Sequence, residues 1–220
     1  MADAGRSDDS PMVWTIVVAA GGGSRFGAAK QYETLGDERV LDRAVRVARQ
    51  VSTGVVVVVP PPDAVREGGV AGGPTRSASV RAGLARVPVD VDIVCVHDAA
   101  RPLASPQLYE TVVGAVRSGA DAAVPAVPVT DTIKVVDEDG FVVDTPDRSR
   151  LVAAQTPQAF RAAVLRRAHE TEEEGTDDAA LVERAGGVVA TVAGEALNRK
   201  ITTPEDLEWA RRCLSVSVLP

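Results

Sequence analysis

The chain has 220 residues, 45% of them hydrophobic and only 3% aromatic, with a formal net charge of −7. That is enough length and apolar content for one domain with a sizeable aliphatic core, and it excludes a disordered chain. The acidic balance argues against a broad nucleic-acid surface, which needs a basic face, but not against phosphorylated small molecules, which need only local positive charge.

Two cysteines, Cys95 and Cys213, lie far apart and are expected as thiols in a reducing compartment. With only two histidines, His97 and His169, a zinc site is disfavoured. Residues 1–11 are polar and acidic and lack the basic start and apolar run of a signal peptide. No apolar stretch reaches the length of a membrane span. The expectation is a cytoplasmic protein with a frayed tail over residues 1–11 and neither nucleic acid nor membrane as partner.

In chain order, Val13 to Ala20 is an apolar run ending in a glycine cluster. Glu38 to Val51 has the apolar spacing of a helix. Val55 to Val59, five valines stopped by three prolines, is a strand buried on both faces. Thr75 to Val87 is helical and Asp92 to Val96 is a buried strand. Ser105 to Ser118 is a helix with Ser105 as N-cap and Pro106 at its first position. Asp121 to Val127 is a strand. Ile133–Val136 and Phe141–Val143, joined by Asp137–Gly140, form a β-hairpin. Helices at Phe160–Glu170, Asp177–Ala185 and Pro204–Leu214, and a strand at Val188–Val192, complete the chain.

Alternating strand and helix gives an α/β fold, a Rossmann-like, mostly parallel sheet with helices on both faces. The hairpin is read as a projecting arm, spanning about 131–155, on a single domain over residues 12–220. In such sheets ligands bind at the carboxyl ends of the strands.

Only three lysines occur, Lys30, Lys134 and Lys200, against 21 arginines. A compact ammonium differs from the planar guanidinium fork where one oxygen must be met, and two of the three lysines sit where phosphate handling wants a point charge; the plainer alternative is codon bias plus chance. Lys30 closes the glycine-rich segment Ala19–Lys30. That segment fails the dinucleotide fingerprint, since Phe26 stands at the third glycine position, and fails the P-loop pattern, since Ala28 follows Gly27. What remains is a loop whose backbone N–H groups can approach an anion, carrying Arg25 and Lys30. After the next buried strand, His97-Asp98-Ala99-Ala100-Arg101-Pro102 offers a carboxylate suited to Mg²⁺ shared with phosphate oxygens. The plainer alternative there is a local Asp98–Arg101 ion pair.

Taken in order with Gly72-Gly73…Arg76…Ser79-Val80, Pro128-Val129-Thr130-Asp131-Thr132-Ile133-Lys134, Gln155-Thr156-Pro157-Gln158, Thr176-Asp177-Asp178-Ala179 and Lys200-Ile201-Thr202, these segments resemble the 2-C-methyl-D-erythritol 4-phosphate cytidylyltransferases of non-mevalonate isoprenoid synthesis. The likeness covers about residues 13 to 213. It implies transfer of CMP from CTP to methylerythritol phosphate with release of pyrophosphate, Mg²⁺ as cofactor with Mn²⁺ as its alternative, and a homodimer whose arm completes the partner's site. By matching position it implies catalytic roles for Arg25, Lys30, Arg148 and Lys200. Nucleotide contacts fall to Ala19, Ala20, Gly21, Gly23, Gly73, Ser79 and Ala99. The resemblance also implies Asp98 as the metal ligand and as a substrate contact. Arg101, Thr156, Thr176 and Lys200 contact methylerythritol phosphate from one subunit, and Thr132 and Arg148 from the arm of the other.

Two departures stand out: the spacing from Arg25 to Lys30 is shorter than is usual in the family, and Pro74 replaces a commonly polar residue. Lys134 reads as arm-stabilising. The nearest rival is a ribitol 5-phosphate cytidylyltransferase, against which the Ala99-Ala100 pair speaks. A non-catalytic nucleotide-binding regulator needs a missing charge in the loop, and none is missing. A NAD-dependent oxidoreductase fails on the fingerprint.

Overall fold

Side-chain alternation along the first strand sets up the layers. A computed structural model describes residues 11–21, 26–171 and 173–216. In β1 (Val13–Val18), Val13 and Val17 enter one core while Ile16 enters the other, as a strand buried on both faces requires. A short ladder of β2 (Thr34–Leu35) and β3 (Glu38–Arg39) turns at Gly36, whose φ of 71° suits glycine. Next come α1 (Val40–Val51), β4 (Gly54–Val59), β5 (Val70–Ala71), α2 (Arg76–Leu84), β6 (Ile93–Asp98), α3 (Pro106–Arg117) and β7 (Ala122–Pro128). The arm holds β8 (Val135–Val136) and β9 (Val142–Asp144). Then follow β10 (Val152–Ala154), β11 (Gln158–Arg161), α4 (Ala162–Ala168), α5 (Asp178–Arg184), β12 (Val189–Ala193) and α6 (Pro204–Val216).

The main sheet runs β12–β7–β11–β6–β1–β4–β5, with β10 beside β11 along the same edge of β7. All its pairings are parallel except those of β10 and β11. α1 and α3 cover one face through Leu41, Ala44, Leu108 and Val112, and α2, α4 and α5 cover the other through Val80, Leu165 and Val182. A third cluster packs Leu207 and Ala210 of α6 on Leu35, Val40 and Ile201. The α/β class and two-faced sheet expected from the alternation are observed.

The differences have local causes. Glu38 and Arg39 pair with β2, so the first helix begins at Val40. Residues 158–161, expected in part as the start of a helix, are strand β11, wedged antiparallel between β6 and β7. Phe160 is fully buried there. β10, inside the expected arm span, belongs to the main sheet. Between β10 and β11 the pairing with β7 shifts register, and Gln155, Thr156 and cis Pro157 fill the break. The tail expected over residues 1–11 lies, Pro11 apart, outside the described residues.

Candidate active site

The carboxyl ends of β1 and β6 and the start of α2 surround a cavity of about 350 Å³. Ala19, Ala20 and Gly21 leave β1, Asp98 and Ala99 leave β6, and Lys30 and Lys200 approach from the flanks. The turn before α2 is tight. A Cβ on Gly72 would lie 2.3 Å from Ala20 Cβ, and one on Gly73 would lie 2.4 Å from Ala78 Cβ. Ser79 shapes the turn, its hydroxyl donating to the Thr75 carbonyl at 2.9 Å while accepting from Gly73 N–H at 3.2 Å. Thr75 caps α2 by accepting from Ala78 N–H. The backbone thus comes close to any ligand here, at the partially positive end of a helix.

A second cavity of about 260 Å³ adjoins the first, lined by Arg101, Gln155, Thr156, Gln158 and Thr176. The two share Arg76, Asp98 and Lys200. Asp98 Oδ2 accepts from Lys200 Nζ at 2.7 Å and Oδ1 from Arg76 Nε at 3.3 Å. Burial would raise the Asp98 pKa, but the two cations overcome it and hold the carboxyl well below its usual range. Arg76 also donates from Nη1 to Asp178 Oδ2 at 2.6 Å. Asp178 is fully buried and receives His169 Nε2 at 2.9 Å on its other oxygen. Burial works to lower the Arg76 pKa, and Asp178 and Asp98 raise it further than burial lowers it.

The sequence-predicted residues Ala19, Ala20, Gly21, Lys30, Gly73, Ser79, Ala99 and Lys200 meet at the first cavity, as does Asp98, which with Arg101, Thr156, Thr176 and Lys200 also lines the second. Gly23 and Arg25 lie outside the described residues. Thr132 and Arg148 line neither cavity of their own chain, and Arg148 donates to the Thr130 carbonyl at 2.8 Å. The Asp98–Arg101 ion pair is absent as a contact: Arg101 instead donates to the carbonyls of Asn198 (2.8 Å) and Ala154 (3.2 Å). Lys30 Nζ donates to the Ile201 carbonyl at 2.8 Å, tying the first loop to the Lys200 segment. Lys134 donates to Thr145 within the arm. Arg76 as the shared wall, and Asp178 behind it, were not singled out from sequence. The signal available was Arg76 at the head of a helix that follows paired glycines.

Among the described residues no group of three or more His, Cys, Asp or Glu side chains could cage a metal. Asp98 is the one carboxylate among the described residues lining the first cavity. That donor set fits a divalent cation held by one carboxylate together with ligand phosphate oxygens.

Residues 13–215, which contain both cavities, match the family described as IspD, 2-C-methyl-D-erythritol 4-phosphate cytidylyltransferase. The chain belongs to this family. A 2-C-methyl-D-erythritol 4-phosphate cytidylyltransferase from Nocardia farcinica is 44% identical over 94% of this chain and 96% of its own. A bifunctional enzyme IspD/IspF from Nitratidesulfovibrio vulgaris is also 44% identical, over 88% of this chain, which spans only 56% of that longer protein. The crystal structure of the cytidylyltransferase from Thermus thermophilus superposes with a TM-score of 0.80 at 34% identity, covering 94% of this chain and all of the other. The cytidylyltransferase family is thus supported by sequence and by fold together.

Proposed function

We propose that the chain transfers the CMP moiety of CTP to 2-C-methyl-D-erythritol 4-phosphate, giving 4-diphosphocytidyl-2-C-methyl-D-erythritol and pyrophosphate. The observation that carries this reading is the pair of adjoining cavities whose common wall is Arg76, Asp98 and Lys200. The larger, glycine-walled one takes the nucleotide. The smaller one takes the sugar-alcohol phosphate, and the reacting atoms meet at the wall.

A phosphate oxygen of methylerythritol phosphate attacks the α-phosphorus of CTP. A P–O bond forms as the bond to the bridging oxygen breaks, and its electron pair leaves with pyrophosphate. The nucleophile is largely dianionic near neutrality, its second pKa being about 6, so no general base is needed. The barrier is crowded negative charge, which placed cations relieve. Lys30 and Lys200 line the nucleotide cavity, and Arg25 belongs to the same loop. Asp98 would hold Mg²⁺, or Mn²⁺, whose chemistry when bound is to draw charge from phosphate oxygens.

The arm supports a homodimer. Phe141 is 71% exposed and Val143 61%, more apolar surface than a two-stranded ribbon keeps in water. In this reading the arm carries Thr132 and Arg148 to the partner's sugar-phosphate cavity. The enzyme works in the cytoplasm, and nucleic acid and membrane play no part. Pyrophosphate release from CTP, measured with methylerythritol 4-phosphate and with ribitol 5-phosphate, tests the reaction. Preference for the ribitol ester would replace it with the rival reading.

A further inference from the structure

Behind the sugar-phosphate cavity lies a buried imidazole that lines neither cavity. His97 is 1% exposed at the end of β6, its ring tilted against Tyr109 at 5.5 Å between centroids. Its Nε2 lies 3.2 Å from the Arg101 carbonyl oxygen, and its Nδ1 lies 3.1 Å from Thr156 Oγ1. A carbonyl only accepts, so Nε2 carries the proton. Among the described residues, the buried ring has only that carbonyl and that hydroxyl on its two nitrogens and no carboxylate hydrogen-bonded to either, so it sits as the neutral Nε2–H tautomer with Nδ1 a bare acceptor. The Thr156 hydroxyl must then donate to Nδ1. The same oxygen accepts from Asp98 N–H at 3.0 Å.

All three bonds run one way: Asp98 N–H to Thr156, Thr156 O–H to His97, His97 N–H to the Arg101 carbonyl. Asn198, itself fully buried, closes the circuit. Its Nδ2 donates to the Thr156 carbonyl at 2.9 Å, and its backbone carbonyl accepts from Arg101 Nη1 at 2.8 Å. Thr156 and Arg101 are therefore joined by two independent routes. Both line the sugar-phosphate cavity, whereas the nucleotide cavity meets this circuit only at Asp98.

We propose that His97 is a positioning residue for the sugar-phosphate cavity, acting by holding the Thr156 proton so that Thr156, Asp98 and Arg101 keep one fixed arrangement. This rests on the reaction given above. It also revises the expected role of Thr156. With its proton spent on His97, the hydroxyl has none to donate to a phosphate, so any donation from Thr156 must come from its backbone.

The experiment has two parts. In protein labelled with ¹⁵N-histidine, long-range ¹H–¹⁵N correlation reads the tautomer directly, and the chain has only two imidazoles to assign. His97 is expected as the Nε2–H tautomer, with its Nδ1 resonance moved by Thr156→Val and held by Thr156→Ser. In kinetics, Thr156→Val and His97→Asn should raise KM for methylerythritol phosphate at least about tenfold, with KM for CTP changed less than about twofold. Thr156→Ser should recover most of the loss seen in Thr156→Val. An Nδ1–H tautomer, an equal rise in both KM values, or a serine variant no better than valine overturns the proposal. If the wild type transfers no CMP to methylerythritol phosphate, the reaction is wrong, and the ¹⁵N spectrum still decides the circuit.

Discussion

Arg76 donates to Asp178 at 2.6 Å, and Asp178 has no exposed surface at all. One arginine thus reaches from Asp98, in the wall shared by the two cavities, to a carboxylate sealed behind the site. Removing one partner of a buried pair leaves the other uncompensated, which costs about 3–5 kcal/mol. Arg76→Ala should lower stability by about 3 kcal/mol, read from the urea midpoint at constant slope. Adding Asp178→Asn should recover part of it, since the stranded charge is gone. A double variant no more stable than Arg76→Ala would show that the loss came from packing.

Lys200 spans the two cavities with its ammonium on Asp98. Lys200→Met should lower kcat by at least about 10²-fold, by analogy with loss of one transition-state donor. The same pairing fixes a pH expectation. Burial raises the Asp98 pKa and the cations lower it by more, so the net shift is downward. A carboxyl depressed in the fold contributes stability that is complete above its unfolded value near 4 and is lost as pH falls through the lower folded value. Asp98 therefore stays charged throughout the neutral range. The acid limb of kcat/KM should instead follow the substrate phosphate, at about pH 6. An acid limb that stays put when the phosphate ester is replaced by its more acidic analogue would assign the limb to the protein.

The turn at Gly72–Gly73 offers a test confined to the nucleotide. Gly73→Ala puts a methyl 2.4 Å from Ala78 Cβ, so the start of α2 must shift. KM for CTP should rise about tenfold or more while KM for methylerythritol phosphate moves little, a penalty of about 1.4 kcal/mol at the least. Cytosine discrimination should weaken with it, because a site built to bond a base edge rejects bases that leave its groups unpaired. Unchanged preference for CTP over ATP and GTP would place base recognition elsewhere.

Much of this was legible because the signals are local. Five consecutive valines, a Ser-Pro helix start and a hairpin turn each depend on a few neighbouring residues. β11 was not legible, because Phe160 serves equally well to open a helix, and only its place between β6 and β7 makes it a strand. Gly21, Gly73, Lys30 and Lys200, which line one cavity, could be picked out as candidates from their own local composition. The pairing of Arg76 with Asp178 could not, since 102 residues separate them and nothing in either segment names the other. His97 shows the same limit: its tautomer follows from a carbonyl four residues on and a hydroxyl 59 residues away.

The arm carries the last prediction. Thr132 and Arg148 line neither cavity of their own chain, so if they act, they act elsewhere. Lys30, in contrast, lines the larger cavity of its own chain. Take two variants, Lys30→Ala and Arg148→Ala, each of which in the proposed homodimer is defective at both sites. In a mixed dimer, one site joins the Lys30-deficient cavity to the Arg148-deficient arm and fails twice. The other joins an intact cavity to an intact arm. Two-fold symmetry makes these the only arrangements. With random exchange, half the dimers are mixed and half of their sites are whole, so about a quarter of wild-type activity should return. Co-expression with two different affinity tags isolates the mixed dimer, which should then show about half of it. A mixed dimer as inactive as its parents would mean that Arg148 serves its own chain, and the arm would be an interface without a part in the chemistry.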